Sequence, residues 1–392
     1  MVRSIEGLRG LAALLVALFH AYVYGRWGGT PAQWPVLQHA WLFVDLFFVV
    51  SGCVMAAAYA GRLESSANLR AFMVRRFFRL YPLHVVTTFA VIATALAVQS
   101  AKWLLAQRGI VVGSEKPFAI PFFDADYLAL EMLLLHGVGI VQRELHNYPS
   151  WSISVELWMY LLFGVAMLLV RGERARILLG AGIVAACTAW FAFRWAGAPA
   201  KAVTLDVQGM PRGLLSFFLG VLVHHCWVRL GSAVAWRAIA SRPAVLGAVQ
   251  LLAALLALVL VARQPQLGVA QLAIPFVFAL LVLVLLSDDG IVARGLQTRP
   301  MQWLGLHSYA IYLTHVCVQT VLDWPGRSVP EPAKHLVGVL FLAVVFGLSM
   351  LCYRFIEVPW RERGRRIAAR IEAGASRATP VGAGIGTMPP AH

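Results

Sequence analysis

The chain has 392 residues, 60% of them hydrophobic and 13% charged, with a mean hydropathy of +0.74. Soluble domains carry about a quarter charged residues, so this composition excludes an ordinary cytoplasmic enzyme. A net charge of +15 would point a soluble protein toward nucleic acid. Here the basic residues flank apolar runs, the bias that orients membrane proteins, and no nucleic-acid partner is expected.

Apolar runs long enough to cross a bilayer, about 20 residues each, recur from end to end. Spans are predicted at 8–27, 40–60, 80–101, 150–170, 177–197, 211–228, 244–262, 268–287, 302–323 and 336–356. The first is too long for a signal peptide and lacks a small-residue cleavage site. The stretch 128–142 is short and holds Glu131 and His136, which predicts a re-entrant or interfacial piece. Leaving it out places the arginines of 62–79, 171–176, 229–242, 294–299 and 361–377 on the same side as the N-terminus. The positive-inside bias makes that side cytoplasmic. The expected fold is an all-α polytopic membrane protein with about ten transmembrane helices and both termini in the cytoplasm. Residues 1–360 form its transmembrane domain. Residues 361–392, basic and then low in complexity, read as a disordered cytoplasmic tail that cannot bury a core.

The five cysteines are scattered without CxxC spacing, so neither a disulfide framework nor a zinc site is expected. His224, His225 and Cys226 are adjacent on a helix and do not converge on one ion, so no metal is expected there. Ionisable groups inside a bilayer cost several kcal/mol, and each marks a functional candidate. His20, Asp45, Glu156 and His315 lie about 8–12 Å from the outer ends of four separate spans, at about 1.5 Å per residue. Arg9 precedes His20 by eleven residues. That is a rise of about 16 Å and nearly three full turns, so both share one helix face.

Arg75, Arg76 and Arg79 form a second basic group in VRRFFRLYP, at the cytoplasmic start of the third span. Guanidinium groups match phosphate through paired hydrogen bonds. The arrangement fits a donor with phosphates at one end and a thioester at the other, as in coenzyme A. Neutral imidazole near pH 7 suits removal of an acceptor hydroxyl proton, and Asp45 or Glu156 would fix its tautomer; Asp45 has the alternative of a structural pairing with a buried arginine or histidine. Ser152, Glu156 and Tyr160 make one polar helix stripe, and Ser308, Tyr312, His315 and Gln319 make another; both fit an acceptor pocket, and the first fits equally a hydrogen-bonded tie between helices. Trp151 fits an interfacial belt or that pocket, whereas Ser51 and Gly52 read as close-packing residues.

The segments IEGLRGLAALLVALFHA, FVDLFFVVSG, RRFFRLYP, WSISVELWMY, LGLHSYAIYLTH and YRFIEVPWR occur in the order seen in the acyltransferase-3 family. The chain resembles these integral membrane O-acyltransferases over roughly residues 3–361. The resemblance implies about ten helices, acyl-CoA as donor and an envelope saccharide as usual acceptor. The family's Arg-x10-His pair falls on Arg9 and His20, and its Arg-x-x-Arg on Arg76 and Arg79. Some members carry a fused SGNH hydrolase-like domain; none is seen here, which implies handover at the membrane protein or on an envelope-biosynthesis partner.

The resulting expectation is a multi-pass enzyme of the bacterial inner membrane. It would move an acyl group, expected to be acetyl, from cytoplasmic acyl-CoA to a hydroxyl of an envelope or secreted glycan or glycolipid. His20 would be the base, Arg9, Arg75, Arg76 and Arg79 the donor grip, and no cofactor would be permanently bound. The main rival is a proton-coupled transporter, because the same histidines and carboxylates also make relays. Transporters usually show repeated halves with broken helices in matching positions, and no such repeat is visible. A third reading is a non-catalytic partner in polysaccharide export, against which the intact arginine and histidine motifs argue.

Overall fold

The computed structural model describes residues 2–110, 125–139, 146–197 and 209–378, and every regular element among them is helical. α1 spans Arg3–Phe19, α2 Phe43–Tyr59, α3 Ser66–Gln107 and α4 Ala125–Met132. α5 spans Trp151–Leu169, α6 Glu173–Arg194, α7 Gly209–Leu230 and α8 Pro243–Ala262. α9 spans Ala273–Leu285, α10 Arg299–Ser328, α11 Glu331–Cys352 and α12 Val358–Ala378.

Among the described residues, nine helical stretches are long and apolar enough to cross a membrane, matching nine of the predicted spans. The remaining one, 302–323, lies within the 30-residue α10, which is longer than a bilayer core requires. Buried Ser308, Tyr312, His315 and Gln319 make α10 the most polar of the crossing helices. The protein is an all-α polytopic membrane protein.

Two local expectations change. α3 has 42 residues, so it extends far below the predicted 80–101 span. Its start is capped by Ser65, whose hydroxyl accepts from the Asn68 N–H at 3.1 Å, as N-cap serines do. Arg75, Arg76 and Arg79 therefore sit on a rigid helix continuous with the span. The second change concerns the tail read as disordered from residue 361. Up to Ala378 it is helical, because α12 lays one face against the lower part of α3. Gly364 lets Phe78 approach, Trp360 packs against Phe78, and Arg75 pairs with Glu372 at 2.6 Å. Residues 379–392 lie outside the described residues. α4, at eight residues, is too short to cross, and its Glu131 is buried; residues 140–142 of the predicted re-entrant piece are not described.

Helix association in lipid depends on van der Waals contact, so small residues set the closest crossings. α1 meets α10 where Gly10 faces Gly305, and α2 meets α7 where Gly52 faces Phe217 and Gly220 faces Val49. A Cβ at any of these glycines would run into the partner's backbone. α8 and α11 lie outside this centre and leave Leu252, Leu336 and Val339 exposed, as lipid-facing residues should be.

Asp288, in the loop after α9, fixes the start of α1. Its carboxylate accepts from the backbone N–H of Ser4 at 2.8 Å and of Arg3 at 3.2 Å, and from the Gln297 amide at 2.9 Å. Partial burial pushes the Asp288 carboxyl up, but these donors outweigh it and hold it below its ordinary value. A lowered native value stabilises the fold above the unfolded carboxyl range, near pH ~3.9, and the gain disappears as pH falls through the native value. Asp288→Ala is therefore expected to lower the thermal midpoint in detergent at pH 7, at a cost of about 1 kcal/mol typical of a lost cap. The gap from wild type should narrow as pH falls below the ordinary carboxylate range and close beneath the lowered native value.

Candidate functional site

A cavity of about 400 Å³ opens between α1, α2, α3, α5, α10 and α12. Its lining includes Arg9, Arg75, Arg76 and Arg79, with Glu156, Tyr160, Ser152, Ser308 and Tyr312. Nine of the thirteen predicted site residues thus share one space. Arg361 and Arg365 also line it. Sequence reasoning missed them because they read as part of a basic tail; the clue was the continuation of helical periodicity past Glu357.

The arginines are held unequally. Arg79 is paired with buried Glu357 and lies over the Tyr309 ring, 5.2 Å from its centroid. Glu357 closes a π-helical turn, Tyr353–Glu357, between α11 and α12. Arg76 reaches only the Tyr59 hydroxyl at 3.4 Å, and otherwise lies over the rings of Tyr59, Phe72 and Tyr160. Among the described residues no carboxylate pairs with Arg9, Arg76 or Arg361. The Nε–H groups of Arg75, Arg76 and Arg361 are buried without a hydrogen-bond partner. Buried donors are nearly always satisfied, so Arg75, Arg76 and Arg361 keep hydrogen-bonding capacity that the protein itself does not use.

Higher in the cavity, Ser51 Oγ donates to Glu156 Oε1 at 2.9 Å and lies 2.9 Å from the Tyr160 hydroxyl, which also donates to Glu156. Glu156 is engaged there and makes no hydrogen bond to His20. The expectation that Glu156 orients the histidine is corrected, and Ser51 proves to face the cavity rather than only packing helices.

Asp45 takes the structural one of its two expected roles, as partner of a buried arginine. It is completely buried and bound by Arg212 through Nε at 3.0 Å and Nη2 at 2.8 Å, with Ser216 donating at 3.0 Å. The Arg212 guanidinium lies between Trp41 and Trp151, 4.9 and 5.3 Å from their ring centroids. Asp45 and Trp151 therefore belong to a clamp between α2, α5 and α7, outside the cavity. Asp45 thus makes no hydrogen bond to His20, and Trp151 is not part of the cavity wall. A buried charge needs its counter-charge, and the partner is 167 residues away, beyond any local pattern.

His20 opens a π-helical turn, His20–Tyr24, that continues α1; such turns are frequent at functional sites. Its ring is 9% exposed. It stacks on His315 at 4.9 Å and meets the edges of Tyr148 and Tyr24 at 4.9 and 5.9 Å. His20 Nδ1 and His315 Nε2 are 3.0 Å apart. His315 thus touches the histidine directly instead of lining an acceptor pocket.

His20 and His315 do not line the arginine cavity. Tyr312 stands at the boundary: it lines the cavity, and its ring lies 6.1 Å from that of His315. Its hydroxyl donates to the Pro149 carbonyl at 3.1 Å and is hydrogen-bonded to Ser152 at 2.9 Å. Arg9 and His20 both lie along the first helix, Arg9 on the cavity wall and His20 outside it.

The acyltransferase-domain family matches residues 2–354. The chain is 26% identical over 380 residues to the peptidoglycan O-acetyltransferase OatA of Listeria monocytogenes, covering 93% of this chain and 56% of the relative. It is 30% identical over 335 residues to the acyltransferase MdmB of Streptomyces mycarofaciens, covering 80% of this chain and 78% of the relative. The chain thus spans little more than half the length of OatA. No solved structure matches it. With this match extending over nearly the whole described bundle, the chain belongs to the acyltransferase-3 family of integral membrane proteins.

Proposed function

We propose that the protein is an inner-membrane O-acyltransferase that takes an acyl group, most simply acetyl, from cytoplasmic acyl-CoA. The acceptor is a hydroxyl of an envelope or secreted glycan or glycolipid. The observation that carries the donor assignment is the cavity wall of six arginines, several with unsatisfied buried donors. Phosphates of coenzyme A supply the oxyanions such a wall lacks. The pantetheine arm then runs along α1 toward His20, over about 16 Å of helix rise. The acceptor oxygen attacks the thioester carbonyl while His20 takes the hydroxyl proton. The carbon–sulfur bond breaks, and the proton passes to the departing thiolate, leaving free CoA and an O-acyl ester.

Purified protein in lipid nanodiscs is expected to release free thiol from acetyl-CoA when an envelope glycan fraction is added. Arg9→Ala should raise the KM for acetyl-CoA about tenfold or more, the effect of losing a charge-assisted hydrogen bond of 1.5–3 kcal/mol. Substrate uptake into vesicles without thiol release would instead support proton-coupled transport and remove this assignment.

A further inference from the structure

We infer that His315 is a positioning residue that fixes the tautomer of His20, the role in which Asp45 and Glu156 were expected. The inference rests on the reading of His20 as the base, and deepens it.

The direction of each hydrogen bond follows from what its partner can do. His315 Nδ1 lies 3.2 Å from the Ile311 carbonyl oxygen one turn earlier on α10. A carbonyl only accepts, so His315 carries its proton on Nδ1. In a neutral imidazole the other nitrogen is then an acceptor. That nitrogen, Nε2, is the one 3.0 Å from His20 Nδ1, so His20 must donate from Nδ1. The sequence of bonds leaves Nε2 of His20 as its unprotonated nitrogen. The alternative, a proton on both nitrogens of His315, would put a full positive charge on a side chain with 0% exposure. No carboxylate pairs with either histidine among the described residues, so that charge would be uncompensated.

The same geometry provides for the imidazolium formed when His20 takes a proton. His20 Nδ1–H keeps its acceptor in His315 Nε2, and the Tyr148 and Tyr24 rings lie 4.9 and 5.9 Å away. A second imidazole thus performs the orienting task without adding a negative charge to the membrane interior. Both histidines stand on helices whose separation is set by the Gly10–Gly305 crossing, and Ile311 lies on the same rigid helix as His315.

Glutamine and leucine at position 315 test this. A Gln side chain both accepts from His20 Nδ1–H and donates toward Ile311, whereas Leu does neither. Thiol release from acetyl-CoA in nanodiscs is expected to show kcat for His315→Leu reduced about 100-fold or more; wrong-tautomer variants of catalytic histidines lose up to about 10⁴-fold. KM for acetyl-CoA should stay within about twofold, because position 315 lies outside the arginine cavity. His315→Gln should recover at least tenfold in kcat over His315→Leu. Wild-type kcat in His315→Leu would overturn the inference. So would equal loss in both variants with raised KM, which is the signature of a structural role. His20→Ala, measured in parallel, separates the two claims: a fully active His20→Ala defeats the base assignment itself, whereas an inactive one beside silent position-315 variants defeats only this inference.

Discussion

His20→Ala is expected to reduce acyl transfer by about 10²–10⁴-fold, the range lost when a general base is removed. Loss should fall on kcat, with acetyl-CoA binding intact, since His20 is not among the residues that line the arginine cavity. In cells, mass spectrometry of envelope glycans should show the O-acyl mass increment with the wild-type protein and lose it with His20→Ala, at equal membrane insertion. Retention of the increment would refute the mechanism. The size of the effect follows from the enclosure: at 9% exposure, His20 is shielded from solvent water that would otherwise replace it as proton acceptor.

Arg212→Met is expected to be strongly destabilising, with a cost of about 3–5 kcal/mol, because it strands the fully buried carboxylate of Asp45 without its counter-charge. Asp45→Leu should be comparably harmful, since Arg212 would lose three hydrogen bonds to that carboxylate. Folded protein recovered from membranes should fall sharply in both. The double variant Asp45→Leu/Arg212→Met should regain most of the loss, as replaced buried ion pairs often do, and should keep acyl transfer. A double variant that folds yet is inactive would return Asp45 to the catalytic machinery. Tryptophans on either side of the guanidinium contribute cation–π attraction beyond the ion pair, so recovery is expected to be incomplete.

The spans, the shared face of Arg9 and His20, and the arginines before the third span were all legible in the chain. Each is written in local spacing: apolar runs of bilayer length, eleven residues along one helix, an i, i+3 pair of guanidiniums. Of the four titratable groups placed at similar depth by the sequence, the structure brings His20 and His315 into contact. Partners were not legible. Helical periodicity tells which face a side chain occupies but not which helix will cover that face. In lipid, that choice falls to close approach at glycines such as Gly52 and Gly305.

That distinction explains each departure. Asp45 and Glu156 looked alike from the sequence, as lone carboxylates inside apolar runs. Packing against α7 gave Asp45 an arginine, while the approach of α2 gave Glu156 a serine hydroxyl. α12 looked like a solvated basic tail because its composition is poor in core-forming residues. It becomes part of the cavity wall through the α3 face it meets. By itself the sequence determined the membrane class, the family and some of the titratable groups within the spans, though not the buried Arg212, because burying a polar group in lipid is costly enough to mark it. Only the tertiary structure decided which of those groups neutralise one another and which face an open cavity, because pairings across 167 and 295 residues are made by helix packing rather than by any neighbouring pattern.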